Sequence, residues 1–233
     1  MTQSPLPQRI AAEAAGTAIL VATVVGSGIM AERLTPDGAV ALLANTLPTA
    51  AILVVLVTVL GPISGAHFNP AVSLAFALKG ELPRREAILY ALGQVLGGIA
   101  GVLAAHVMFD LAPLAASARV RTGPAQWFSE WVATFGLLAT ILAGLKARPA
   151  AVPALVGLYI GAAYWFTAST SFANPAVTIA RALTDTFSGI RPWDAPAFIL
   201  AQLLGAACAL PAMAWLLRPA NEPDNCRPLE RLP

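Results

Sequence analysis

The chain has 233 residues, of which 58% are hydrophobic and 11% charged, and its mean hydropathy is +0.72. A soluble domain carries about 25% charged residues, so most of this surface is built to face lipid. The formal net charge of +2, with no basic run and no stacking aromatics, gives no ground for a nucleic-acid partner, and two scattered histidines with two distant cysteines give none for a metal, a cofactor or a disulfide framework.

After a short tail (1–8), Arg9 opens an apolar run that continues to Met30, too long for a signal-peptide core, and it is read as a retained first span. Apolar stretches then follow one another at 9–31, 40–60, 87–109, 127–145, 150–168 and 195–217. A spanning helix needs about 20 apolar residues. Lone strands would leave backbone groups unpaired in lipid, so the six stretches predict an all-α membrane bundle. The breaks hold turn and charge residues, among them Pro36-Asp37-Gly38 and Lys146-Ala147-Arg148-Pro149, and the polar tail 218–233 is expected to be mobile. With the N-terminus inside, nine Lys and Arg residues fall on inner segments and five (Arg33, Arg119, Arg121, Arg181, Arg191) on outer ones, which favours cytoplasmic termini.

Two connections do not read as loops. Residues 61–79 and 169–186 are too apolar for water and too broken to span, and each contains Asn-Pro-Ala running into a helical pattern: Asn69-Pro70-Ala71 and Asn174-Pro175-Ala176. They are expected to be re-entrant, because irregular backbone at membrane depth is tolerated where protein buries it or where it lines a wet cavity. The chain is also duplicated. Glu13 and Gln94 flank the first box as Glu130 and Gln202 flank the second, giving a first repeat at 9–109, a connecting loop at 110–126 and a second repeat at 127–217. Each copy holds three spans, an odd number, so the second must be inverted, and inverted repeats with interrupted helices place a site at the midplane.

Two Asn-Pro-Ala boxes in such a duplication, one preceded by Ser-Gly-Ala-His-Phe, resemble the aquaporin, or major intrinsic protein, family over about residues 9–217. The resemblance implies six tilted helices plus two half-helices meeting head to head. Asn caps a helix and Pro suits its first position. Opposed helix starts would then put positive dipole ends at the pore centre, with Asn69 and Asn174 offering amides to a passing water or hydroxyl and cations repelled. The alternative is that both asparagines are caps alone. The resemblance further implies that Glu13 and Glu130 are buried acceptors for the re-entrant backbone, with Gln94 and Gln202 as structural partners; a proton relay is the sharper alternative. His67 would border the inner half of the pore, as wall or as pH gate. His106 receives no function, and Gly93, Gly97 and Gly101 are expected to let spans pack closely.

Water- and glycerol-selective members carry arginine straight after the second box, where this chain has Val177. Spacing from the asparagines places Thr49, Ala162 and Ser171 beside Val177 in the outer constriction, a small and uncharged set. In lacking the arginine the chain resembles bacterial aquaporins linked to arsenic resistance, which implies passage of neutral trihydroxy metalloids such as arsenite and antimonite, small polyols such as glycerol, and water. Arg181, one turn after Val177, either lines the vestibule, with Asp185 pairing to it, or snorkels its head into water.

The rival classes are an enzyme, for which Ser64 and His67 lack a third residue, and a proton-coupled transporter using Glu13 and Glu130. A plain water or glycerol facilitator is the nearer alternative. Membrane lipid and a homotetramer, each protomer with its own pore, are the expected partners, and a bacterial inner membrane the expected location.

Overall fold

A computed structural model describes residues 4–218. Residues 1–3 and 219–233, with Cys226, Arg227 and Arg231, lie outside the described residues, and so does the expectation of a mobile tail. Regular structure among the described residues is helical throughout: α1 (Leu6–Leu34), α2 (Gly38–Ser64), α3 (Pro70–Leu78), α4 (Arg84–Met108), α5 (Pro124–Ala147), α6 (Val152–Phe166), α7 (Pro175–Arg181) and α8 (Ala195–Leu216). Six of these are long and apolar enough to cross a membrane, α6 and α8 each with a short 3₁₀ lead-in. α3 and α7 are half-length, as the broken apolar segments required. Residues 61–64 of the first connection belong to α2, which carries Pro62 inside its last turn and ends on Gly65 in the left-handed region (φ 91°).

The spans pair α1 with α4 and α5 with α8, and α2 with both α1 and α6. The first two pairings come close because glycine faces backbone. A Cβ on Gly97 or Gly101 would collide with the carbonyls of Ala14 or Ala18, and one on Gly205 with that of Trp131. In lipid no hydrophobic force drives spans together, so close backbone packing of this kind carries the association. Gly97 and Gly205 occupy matching places in the two repeats, each three residues after its glutamine.

Large aliphatic side chains such as Leu43, Leu47, Leu96, Leu158, Leu200 and Leu204 point outward, over half exposed in all but Leu43. Trp193 and Trp215 stand exposed near opposite ends of α8, as an interfacial aromatic belt requires. Cys208 is a free, exposed thiol on the same helix.

Candidate functional site

The backbone leading into each half-helix is strained. Ala66 (φ 51°) and Phe68 (φ 48°) precede α3, and Thr170 (61°), Ser171 (50°) and Ala173 (48°) precede α7, all left-handed without being glycine. Such residues cost about 1–3 kcal/mol each and persist only where the surroundings hold them. Here two carboxylates do the holding. Glu13, fully buried, accepts from Ser64 Oγ (2.6 Å) and His67 N (2.9 Å) on Oε1, and from Phe68 N (2.6 Å) and Gln94 Nε2 (2.8 Å) on Oε2. Glu130, equally buried, accepts from Phe172 N (2.9 Å) on Oε1, and from Ala173 N (2.8 Å) and Gln202 Nε2 (2.6 Å) on Oε2. Each glutamine donates a second bond to the hydroxyl four residues after the asparagine of its repeat, Gln94 to Ser73 (3.0 Å) and Gln202 to Thr178 (2.9 Å).

The strained segments deliver the two asparagines head to head. Asn69 Oδ1 accepts from Ala71 N (2.9 Å), and Asn174 Oδ1 from Ala176 N (3.0 Å) and Val177 N (3.2 Å), so both cap their helices with proline at the first position. Their amides then cross: Asn69 Nδ2 donates to Ala173 O and Asn174 Nδ2 to Phe68 O, both at 2.7 Å. Each NH₂ keeps a second hydrogen. Pro70, Ala71, Pro175 and Ala176 form the first turns, and both alanines are fully buried.

A cavity of about 230 Å³ passes both asparagines. One half is lined by His67, Phe76, Leu145, Val152 and Val156, the other by Thr49, Tyr164, Ser171, Val177 and Arg181. Glu13, Glu130, Gln94 and Gln202 are not on its wall. His67 Nδ1 meets Ser73 Oγ (3.1 Å) and its ring packs on Phe76 (4.7 Å between centroids), so it is not paired with Ser64, which donates to Glu13. His106 is a structural clamp: one ring nitrogen bonds Ala112 O (2.6 Å), the other Thr184 Oγ1 (2.7 Å).

Of the four residues expected at the outer constriction, Thr49, Ser171 and Val177 line the cavity and Ala162 does not. Ala162 is exposed on the outer face of α6, whose inward stripe runs Val152, Val156, Ile160, Tyr164 at four-residue spacing. Tyr164, two residues further along the helix and 3% exposed, lines the cavity in its place. Thr49 donates to Asn45 O within its own helix (2.8 Å), leaving its oxygen as an acceptor.

Arg181 does not snorkel. It is 2% exposed, lines the cavity, lays its guanidinium 3.3 Å from the centroid of the Phe172 ring and donates from Nε to Ser188 O. Nor does Asp185 pair with it. α7 ends at Arg181, so helical spacing no longer applies, and Asp185 Oδ1 instead accepts from Ala118 N (2.9 Å).

The connecting loop supplies a residue that sequence reasoning missed. It folds along the segment after α7, with Ala115 N bonded to Leu183 O, Ser117 N to Ala182 O and Arg191 N to Arg119 O. This carries Arg121 inward to Gly189 O (2.8 Å) and Ser169 O (3.3 Å), with its guanidinium 5.2 Å from the Phe172 centroid. Burial lowers Arg121 to about 10, which leaves it cationic at neutral pH. The four-residue stripe on α6 was the available signal for Tyr164; for Arg121 there was none, because its position depends on a loop docking on a distant segment.

Six spans around a cavity, with two opposed half-helices meeting at its middle, define a membrane channel of the aquaporin fold. The chain belongs to the major intrinsic protein family, whose profile matches residues 1–173, and it is a channel rather than an enzyme. It is 67% identical over 221 residues to aquaglyceroporin AqpS of Rhizobium meliloti (strain 1021), covering 95% of each chain. It is 32% identical over 166 residues to aquaporin NIP1-2 of Arabidopsis thaliana, covering 67% of this chain and 55% of that one. Among solved structures, the aquaglyceroporin from Plasmodium falciparum superposes with a TM-score of 0.63 at 18% identity, covering 89% of this chain and 95% of that one, a likeness of fold.

Proposed function

We propose that the protein is a passive channel for small uncharged polar solutes: polyols such as glycerol, neutral metalloid hydroxides such as arsenite and antimonite, and water. The observation that carries this reading is the single cavity passing Asn69 and Asn174, with Val177 rather than arginine on its outer wall. The free amide hydrogens at the midpoint suit hydroxyl oxygens, and an aliphatic wall beside Thr49, Tyr164 and Ser171 sorts neutral solutes by size and hydrogen bonding, while Arg181 on the same half opposes cations. The relative's name, aquaglyceroporin, supports the polyol class. Glu13 and Glu130 are off the cavity wall and fully hydrogen-bonded, which speaks against proton carriage. On this reading the chain sits in a bacterial inner membrane with both termini cytoplasmic, as a homotetramer with one pore per protomer.

The test is flux of glycerol, arsenite and water into proteoliposomes against concentration. A channel gives linear, pH-independent flux with low activation energy. Saturating, proton-driven flux would replace this reading with a transporter.

A further inference from the structure

One buried cation, Arg181, lines the cavity, and a second, the part-buried Arg121, lies against the same Phe172 ring. Arg181 makes one guanidinium hydrogen bond among the described residues, from Nε to Ser188 O, and its Nη1 is buried without a partner. Arg121 is held by backbone oxygens, which orient it without cancelling its charge. Neither belongs to an ion pair among the described residues. The acids nearby are committed elsewhere: both Glu130 oxygens hold the re-entrant backbone, Asp185 takes Ala118 N, and Asp194 takes Arg121 N and the Arg191 guanidinium. Phe172 fixes the plane of Arg181 by stacking but offers no acceptor to its in-plane donors.

A second polar group is orphaned on the same wall. Ser171 is 2% exposed, lines the cavity, and its Oγ has no hydrogen-bond partner. A buried charged donor left unmet is costly, so the acceptor must come from the cavity, as water or as a solute that displaces it.

We propose that Arg181 and Ser171, backed by the charge of Arg121, form a binding site for a small oxygen-bearing monoanion, of the carboxylate or oxyanion class, in the outer half of the cavity. A stacked guanidinium presents its fork edge-on, the geometry that matches carboxylate oxygens, and a serine hydroxyl adds a directional donor. Among the described residues Arg181 is the one guanidinium on the cavity wall, which matches a single negative charge. The proposal rests on the pore reading only in needing the cavity open to solvent.

The test titrates ¹³C-formate onto the purified full-length chain in detergent, read by saturation-transfer NMR. Saturable binding is expected. It should weaken about tenfold or more in Arg181→Met, as loss of a charge-assisted bond implies. Ser171→Ala should lose less, and Arg85→Met, exposed at the start of α4, should match wild type. Absence of saturable binding in wild type, or equal affinity in wild type and Ser171→Ala, overturns the site, and neither result needs Arg181→Met to fold. Glycerol flux measured in parallel separates the two ideas. Flux without formate binding keeps the channel and removes the site; Arg181-dependent binding without flux keeps the site and removes the channel.

Discussion

Asn69 and Asn174 are tied to each other's approach rather than to each other: each amide donates to the carbonyl just before the opposite asparagine, at 2.7 Å in both cases. Each therefore caps its own half-helix and clamps the other in register. Asn69→Ala should lose the cap and leave Ala173 O unmet, a destabilisation of roughly 2–4 kcal/mol. Asn174→Ala should cost about as much by the same argument. Because the two clamps share one interface, the double substitution should cost less than the sum, by about 0.5–3 kcal/mol. Denaturant unfolding in mixed micelles measures all three.

Glu13 and Glu130 hold backbone that would otherwise relax. Glu13→Gln replaces one acceptor oxygen with an NH₂ facing a donor, and about 3 kcal/mol of stability should be lost. Glu130→Gln should behave alike, since it too receives two consecutive backbone N–H groups. The discriminating measurement is flux in the folded fraction. With a structural role the flux is pH-independent in wild type and variant alike, whereas a proton carrier would give the wild type a pH-driven flux that the variant loses.

The outer constriction makes a directional prediction at two positions. Val177→Arg should lower permeability to polyols larger than glycerol more than permeability to water. Tyr164→Ala should raise it, and Ala162→Phe should leave it unchanged, because Tyr164 lines the cavity and Ala162 faces outward. A polyol size series in stopped-flow swelling checks the set; an effect of Ala162→Phe as large as that of Tyr164→Ala would put Ala162 on the lumen side of α6.

Glycines at the span crossings should differ in tolerance. Gly97→Val and Gly101→Val drive side chains into α1 backbone, which cannot yield, and folded protein should be lost from the membrane fraction. At Gly93 an added Cβ meets Ile10 Cγ2 at 3.2 Å, the end of a side chain, so Gly93→Ala should fold with a loss of about 1 kcal/mol. Size-exclusion profiles of the extracted variants report the difference.

The fold was legible because membrane insertion leaves so few solutions. Spans must be apolar, about 20 residues long and helical, and any break in that pattern must be buried or line a cavity. Hence 70–78 and 175–181 showed through as half-helices, and Glu13, Glu130, Gln94 and Gln202 as one repeated set of polar partners. What stayed hidden was the side-chain geometry of the outer wall. Ala162 and Tyr164 differ by two residues on one helix, and two residues turn a side chain through about 200°, from lipid to lumen. Arg181 follows Val177 at helical spacing, yet whether its head meets water or a buried ring depends on Phe172 and on the loop bringing Arg121 beside it. Local sequence determined which segments cross, which turn back and where the helices start. The charge at the Arg181 end of the cavity was decided by contacts between segments far apart in the chain, and such contacts leave no periodic trace in the sequence.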